Sequence, residues 1–155
     1  MISLIVAVDK NGCIGLDGKM PWHIKEELKH FKEYTWGKKV LIGRKTFEGL
    51  GKSLTNRYHY LLTSKNIEIE TGEIVTDLAA LIDQYKNNDE ELVVIGGAQV
   101  YKKVLDIVDK MIISVIQNEY NGDTYFPKFD MNRFDVESIQ THDEFIVYTL
   151  IRKEN

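Results

Sequence analysis

The sequence predicts an α/β fold: a single domain, residues 1–155, with a central, mainly parallel, twisted sheet flanked by about four helices and an antiparallel C-terminal hairpin at the edge of the sheet. First, short apolar runs rich in Ile and Val alternate along the chain with amphipathic helical segments, as in sheets wound on both faces. Second, the last two β-rich runs, 134–140 and 145–152, are separated by only a short polar segment. Because that segment has no room for a crossover helix, the two runs should pair antiparallel.

The first two segments of the chain are predicted to be a strand and a loop. Residues 2–8 are apolar nearly throughout, which indicates a central strand covered on both faces. The next segment, 9–19, is dense in turn signals: Asn11-Gly12, Gly15 and Asp17-Gly18. A loop of this length in a compact domain is usually functional, and its glycines predict that it is mobile.

The first helix should begin at or after Pro21, because proline restricts both its own φ and the conformation of the residue before it. Ile24, Leu28 and Phe31 recur at i, i+4 and i+7 and would form one buried helical face. Glu27 breaks this pattern, since at about 100° per residue it lies roughly 60° from Ile24 and roughly 40° from Phe31. Its carboxylate would then need a partner or a raised pKa. A glutamate at the margin of the apolar stripe that reaches water is the commoner alternative in an arbitrary helix.

The remaining elements follow the same alternation of strands and helices. Strands are predicted at 39–42, 58–63, 74–75, 92–95 and 111–116, and helices at 44–50, 77–86 and 99–108. The connecting segments 51–57 and 64–73 are predicted to be loops.

Composition narrows the class of protein. A chain of 155 residues is long enough to bury roughly two thirds of its unfolded surface in one core. The net charge of −4, with acids and bases interspersed, gives no electrostatic argument for a nucleic-acid or membrane partner. Cys13 is the only cysteine, so no intramolecular disulfide can form, and a reducing compartment is the natural inference. We therefore expect a cytoplasmic protein with a small ligand, and we also expect a monomer.

Three strand ends carry residues suited to a ligand, and ligands of doubly wound sheets bind beyond the carboxyl ends of strands. Gly96-Gly97 follow one strand and precede a helix, so backbone could approach a pyrophosphate closely. The G-x-G-x-x-G spacing is missing, and a simple tight turn explains the two glycines equally well. At the second strand end, Arg44 and Lys45 stand at a helix N-terminus, where cations oppose the macrodipole unless an anionic ligand lies between them.

The third strand end would supply Thr63, Ser64 and Lys65 to the same phosphate, although ordinary surface basicity is the preferred interpretation of Lys65. Arg57 lies in the loop after the short second helix, and its planar guanidinium suits bidentate binding of a carboxylate. The four histidines and Cys13 show no ligand spacing, so no metal site is predicted.

Five motifs taken together resemble the dihydrofolate reductase family, in order and over nearly the whole chain: M-P-W at 20–22, G-R-K-T at 43–46, L-x-x-R at 54–57, I-G-G at 95–97 and G-D-T-x-F-P at 122–127. The resemblance implies an enzyme that reduces 7,8-dihydrofolate to tetrahydrofolate with NADPH. It implies a cis peptide between Gly96 and Gly97, an acid at Glu27 that grips the pterin, and Asp123 bracing the mobile loop.

The resemblance also implies the roles of individual residues. The catalytic ones would be Glu27 and Trp22, with a water near Trp22 carrying a proton to pterin N5. The substrate-binding residues would be Ile5, Ala7, Glu27, Leu28, Phe31, Leu50, Leu54, Arg57, Ile95 and Ser114. The cofactor-binding residues would be Ala7, Ile14, Gly15, Met20, Gly43, Arg44, Lys45, Thr46, Leu62, Thr63, Ser64, Gly96, Gly97, Ala98, Gln99, Val100 and Tyr101. Arg57 would bind the α-carboxylate of the folate glutamate, and Arg44 the cofactor's 2′-phosphate.

Several positions depart from the family pattern. Glu27 stands where bacterial members more often carry Asp, and Ser114 replaces a Thr whose hydroxyl bonds the active-site acid. Gln99 replaces an Arg found near the 2′-phosphate in some relatives, while Ser53 and Thr55 replace common prolines.

Two rival functions remain open. A riboflavin-pathway reductase of the same fold is the nearest enzyme, and Glu27 and Arg57 argue against it because its substrate has neither a pterin edge nor a glutamate tail. A non-catalytic nucleotide-binding domain or a small flavoprotein is the rival from another class. Yellow colour would indicate flavin, and turnover would separate an enzyme from a binder.

Overall fold

The computed structural model describes residues 1–154 and contains an eight-stranded sheet and a separate two-stranded sheet. The strands are β1 Ile2–Val8, β2 Cys13–Gly15, β3 Lys39–Gly43, β4 Tyr58–Leu62, β5 Gly72–Val75, β6 Leu92–Gly96, β7 Lys110–Ile116, β8 Thr124–Tyr125, β9 Phe134–Thr141 and β10 Phe145–Arg152. The helices are α1 Lys25–Thr35, α2 Arg44–Leu50, α3 Leu78–Lys86 and α4 Ala98–Val104, and Met131–Arg133 form a short 3-10 turn.

The large sheet has the strand order β5-β4-β3-β6-β1-β7-β10-β9. All neighbours from β5 to β7 run parallel, whereas β10 runs antiparallel to both β7 and β9. The predicted central strand and the predicted C-terminal edge hairpin are therefore confirmed. They could be predicted because a strand buried on both faces is apolar throughout, and a short polar connection permits only a hairpin.

Two apolar layers cover the two faces of this sheet. Along β1 the side chains alternate between them, with Leu4, Val6 and Val8 in one cluster and Ile5 in the other. This alternation is the period of two that a pleated strand imposes. Because β1 contributes to both layers, it lies at the centre of the molecule and its carboxyl end opens onto the region where the site is built.

The start of α1 differs from the prediction. The segment after Pro21 is not helical, and Ile24 caps the helix in an extended conformation without a side-chain hydrogen bond. Ile24 is still buried, but Leu28 and Phe31 are only half-buried, while Glu27 is 5 % exposed. The periodicity thus identified the buried face, but Glu27 lies deeper than Leu28 and Phe31, because burial depends on what packs against the helix.

Helix α4 ends at Val104, four residues before the predicted end at 108. In the segment after it, Arg152, the last residue of β10, donates from Nε to the Val108 carbonyl and from Nη2 to the Leu105 carbonyl, each at 2.7 Å. These carbonyl groups would lack an intrahelical partner even in a helix that continued to 108, so the bonds from Arg152 stabilise the segment that follows α4.

The segment 9–19, predicted to be a loop, contains the short strand β2, which pairs antiparallel with β8. Gly122 allows this pairing, since a Cβ at that position would collide with Cys13 Sγ and the Gly15 carbonyl oxygen. A two-residue strand such as β8 has no detectable pattern of its own, which is why the sequence does not reveal it.

Helix α1, with 11 residues, is the longest described, and no helix within 1–154 is long and apolar enough to cross a membrane.

Candidate active site

Many of the predicted site residues lie at the carboxyl ends of the parallel strands, and their apolar members are divided between the two faces of the sheet. One core cluster unites apolar members of the predicted substrate site with Trp22: Ile5, Ala7, Phe31, Leu54 and Ile95. Strand register places Ser114 of β7 beside Ala7 of β1. The structure does not bring Leu50 into this cluster, because that side chain is 39 % exposed at the end of α2.

Glu27 is the buried acid of this region. It lies in the first turn of α1 and is 5 % exposed, and burial raises the pKa of its carboxyl from 4.5 to about 7. Removal from water disfavours the charged form, which is the physical cause of the shift. The alternative of a water-facing glutamate at the margin of the stripe is therefore wrong.

Two further polar atoms at the site are buried without any hydrogen-bond partner in residues 1–154: Trp22 Nε1 and Ser114 Oγ. Trp22 is 7 % exposed and Ser114 is 1 % exposed. An unsatisfied buried polar group costs about 1–3 kcal/mol, so groups of this kind are concentrated where a ligand binds. The hydrogen bond between Ser114 and Glu27 implied by the family resemblance is not formed.

Tyr101 adds a buried phenol beside the same acid. Its hydroxyl donates to the Ile5 carbonyl at 2.8 Å. Burial, with a smaller contribution from the charge of Glu27, raises the pKa of the phenol. Tyr101 therefore stays neutral, and its hydroxyl points at β1, so its side chain forms part of the floor of the site. A neutral phenol cannot act as a base.

Two turns, one at Gly43 and one at Gly96-Gly97, form a close backbone surface. A cis peptide joins Gly96 to Gly97, as the resemblance implies. A Cβ on Gly97 would lie 2.7 Å from Thr46 Oγ1, and one on Gly43 would lie 3.0 Å from Val100 Cγ2. The turns leading into α2 and α4 are thus in contact, and neither helix has a side-chain cap on its N-terminal N–H groups. Such groups are free to bind phosphate oxygens.

The predicted phosphate-binding residues lie on neighbouring strand ends. Register pairs Gly43 of β3 with Leu62 of β4, which places Arg44 and Lys45 next to Thr63 and Ser64. Lys45 and Ser64 are exposed. Arg44 forms an ion pair with Glu48 on its own helix, with 3.0 Å between Nη1 and Oε1. Binding an anion at Arg44 would therefore compete with Glu48, a relation that the G-R-x-T motif does not reveal.

The other predicted cofactor residues lie around this surface. Ile14 and Gly15 belong to β2, Met20 is 44 % exposed at the end of the loop, and Ala98, Gln99, Val100 and Tyr101 form the first turn of α4. Val100 and Tyr101 are each 4 % exposed, so they belong to the core more than to a ligand surface.

Arg57 is held in place by contacts that the sequence does not indicate. Its guanidinium donates from Nε to Thr35 Oγ1 at 3.1 Å, from Nη2 to the Lys32 carbonyl at 2.9 Å and from Nη1 to the Thr55 carbonyl at 2.5 Å. It also lies 5.0 Å from the centre of the Trp36 ring. These bonds use three of the five N–H donors of a guanidinium and leave one on each terminal nitrogen, so two donors remain for a carboxylate.

Asp123 braces segment 9–19 by direct contact. Its Oδ2 accepts from the Asp17 backbone N–H at 3.0 Å, and its own N–H donates to the Gly15 carbonyl at 3.0 Å. The bond from Asp17 is the main cause that lowers the pKa of the Asp123 carboxyl.

Residues 1–154 contain no group of three or more His, Cys, Asp or Glu side chains that could hold a metal ion.

Comparisons with known proteins agree with this geometry. The family described as "Dihydrofolate reductase" matches residues 1–150. The chain is similar to dihydrofolate reductase of Bacillus subtilis, with 38 % identity over 147 residues covering 93 % of this chain and 87 % of that one. It is also similar to dihydrofolate reductase of Haemophilus influenzae, with 38 % identity over 135 residues, 87 % of this chain and 84 % of that one. A solved dihydrofolate reductase from Enterococcus faecalis, complexed with NADP(H) and RAB-propyl, superposes with a TM-score of 0.90 at 29 % identity, covering 99 % of this chain and 97 % of that one.

Proposed function

The chain belongs to the dihydrofolate reductase family, and from this premise we propose that it reduces 7,8-dihydrofolate to tetrahydrofolate with NADPH, with Glu27 and an associated water assisting protonation of pterin N5. The observation that carries the proposal is the buried carboxyl of Glu27, whose pKa is raised to about 7. It lies in the region where Trp22 Nε1 and Ser114 Oγ also lack partners within residues 1–154. A pterin and an ordered water would satisfy such groups.

Glu27 would act on the substrate in two ways. Its carboxylate would accept hydrogen bonds from the pterin 2-amino group and N3, which fixes the ring against the apolar cluster around Ile5 and Phe31. Because its pKa lies near neutrality, the carboxyl can also release a proton at the operating pH. A water held near Trp22 would pass that proton to N5 while C6 receives the hydride.

The cofactor fits the close backbone surface formed by the two glycine turns. When bound, NADPH supplies the hydride that reduces C6. Gly96, Gly97 and Ala98 would hold its pyrophosphate together with Gly43 and Thr46. The glycines let the two turns pack against each other, and the uncapped N–H groups at the starts of α2 and α4 can bind phosphate oxygens.

The function is tested by turnover of the purified protein. NADPH oxidation that requires dihydrofolate, together with formation of tetrahydrofolate, is the expected result. Binding of NADPH without turnover would leave only a nucleotide-binding domain and would refute the proposal.

A first prediction concerns cofactor choice. Because Arg44, Lys45, Thr63 and Ser64 converge on one phosphate position, kcat/KM should be at least about tenfold higher with NADPH than with NADH, since hydrogen bonds to charged groups contribute about 1.5–3 kcal/mol each. Glu48→Gln should raise the preference further by releasing Arg44 from its ion pair. Equal kcat/KM values for the two cofactors would refute this phosphate site.

A second prediction concerns the segment 9–19. Its β2 strand is only three residues long, so its backbone should exchange hydrogen readily in the free protein. Adding NADPH with folate should increase protection between Asn11 and Trp22, as expected if the segment closes over the site. Hydrogen exchange followed by mass spectrometry gives the measurement, with α3 as the internal control, and unchanged protection would contradict closure.

A further inference from the structure

Asp9 is a buried carboxylate that the proposed mechanism does not use. It follows β1 directly and is 1 % exposed. Its Oδ1 accepts the backbone N–H groups of Asn11 at 2.8 Å and Cys13 at 2.9 Å, whereas its Oδ2 accepts the backbone N–H of Tyr120 at 2.7 Å. A buried carboxylate is costly unless it is hydrogen-bonded, and here three backbone donors meet that need.

The two oxygens of Asp9 have separable roles. Backbone bonds already close the 9–13 turn, because the Asp9 N–H donates to the Cys13 carbonyl at 3.0 Å and the Gly12 N–H donates to the Asp9 carbonyl at 3.1 Å. What Oδ2 adds is a bond to a segment more than 100 residues away in sequence, which is shorter than the 3.3 Å bond that the neighbouring Lys10 N–H donates to the Asn118 carbonyl. The side chain therefore acts as a clasp between the beginning of segment 9–19 and segment 117–124.

The clasped segment touches the proposed catalytic region through Tyr120. The Tyr120 and Trp22 rings lie 5.4 Å apart between centroids, tilted by 54°. Trp22 belongs to a stretch that is not helical, so packing against its neighbours sets its position. Its Nε1 is the atom expected to hold the proton-carrying water.

We infer that Asp9 is a positioning residue for proton delivery: by anchoring the Tyr120 backbone it holds the ring that places Trp22. The inference rests on the proposed function, because it assigns Asp9 a role in the same protonation step. Asp9 itself does not touch the substrate, since it is buried beneath the turn and all its bonds are to the protein backbone.

Asp9→Asn is the decisive variant, because an amide has the same size but only one acceptor oxygen. Its NH₂ group would face either the Tyr120 N–H or the N–H groups of Asn11 and Cys13, donor against donor. We expect the single-turnover rate of NADPH oxidation with dihydrofolate to fall by about tenfold to a hundredfold at pH about 8. The loss should shrink toward pH about 6, where more dihydrofolate is protonated in solution, and NADPH affinity should not change.

Asp109→Asn is the matched control. Asp109 Oδ2 also accepts a backbone N–H, that of Ile2 at 2.9 Å, at the opposite end of β1. This variant should lower the melting temperature without changing the pH profile of the rate. A loss in Asp9→Asn by one constant factor at every pH would reduce Asp9 to a structural role and overturn the inference.

The path through Tyr120 is tested separately by Tyr120→Ala, which keeps the backbone N–H and the clasp but removes the ring. This variant should show the same pH-dependent loss, and adding Asp9→Asn to it should have little further effect on the profile. Additive losses of rate in the double variant would overturn the inference. A wild-type pH profile in Tyr120→Ala would also overturn it, and this test holds even if Asp9→Asn does not fold. If the wild type failed to reduce dihydrofolate, the proposed function itself would fall, which is a different result.

Discussion

Replacing Glu27 with glutamine is expected to leave the fold intact while lowering dihydrofolate reduction by orders of magnitude between pH 7 and 8. The amide keeps the volume of the side chain but can neither release a proton nor accept hydrogen bonds with two oxygens. Activity should recover partly as the pH falls, because dihydrofolate protonated in solution no longer needs help at N5. Single-turnover rates across this pH range give the measurement, and NADPH affinity serves as the control.

Glu27→Gln should lower activity but raise the free energy of unfolding. Folding raises the pKa of the Glu27 carboxyl from 4.5 to about 7, so between these values the native state binds a proton that the unfolded state has lost. The free energy of unfolding of the wild type therefore falls as pH rises through this window. Below the window the carboxyl is protonated in both states, so its burial causes no electrostatic loss of stability. Since one pKa unit corresponds to about 1.4 kcal/mol, Glu27→Gln should be more stable than the wild type by up to about 3 kcal/mol above pH 7.

Both outcomes can be read from one set of samples. Denaturant unfolding at pH about 4.5 and pH about 8 should show the stability difference appearing only at the higher pH. Wild-type turnover by the Gln variant at pH 7 to 8 would remove Glu27 from the proposed catalytic role, even if the stability difference were found. If the variant and the wild type were equally stable at both pH values, the Glu27 carboxyl would be more hydrated than its burial indicates.

Replacing Arg57 with leucine should weaken dihydrofolate binding by a hundredfold or more and leave NADPH affinity nearly unchanged. The bidentate bond to the glutamate α-carboxylate would be lost, and charge-assisted hydrogen bonds contribute about 1.5–3 kcal/mol each. Dihydropteroate, which has no glutamate, should bind the variant and the wild type equally well. Comparing KM for the two substrates gives the test.

The contacts of Arg57 require a control for packing. Leucine would leave the Lys32 and Thr55 carbonyls without their donor, so some loss of stability is expected. Thr35→Val removes the partner of Nε but keeps the guanidinium and its two terminal nitrogens. This control should lose stability while retaining the discrimination between dihydrofolate and dihydropteroate. An equal loss of both substrates in Arg57→Leu would take Arg57 out of the tail site.

Much of the fold could be predicted because it depends on local pattern. The uniform apolar run of β1 and the short connection between β9 and β10 each specify one arrangement, and both are present in the structure. Errors occurred at element ends. Helix α4 ends at Val104 and not at 108, and the segment after it is held by Arg152, which donates to the Val108 and Leu105 carbonyls from 44 and 47 residues away in sequence.

Some features of the candidate site could likewise be predicted from the sequence, and others could not. By itself, the sequence determined which residue types stand at the strand ends, because glycines, cations and hydroxyls after apolar runs follow from spacing alone. Only the tertiary structure decided that Glu27 is buried, that Arg57 is oriented by Thr35 and Lys32, and that Asp9 joins two distant segments through Tyr120. The physical reason is that desolvation and hydrogen-bond partnership depend on which groups meet across the fold, whereas periodicity along the chain reports only which face of an element is apolar.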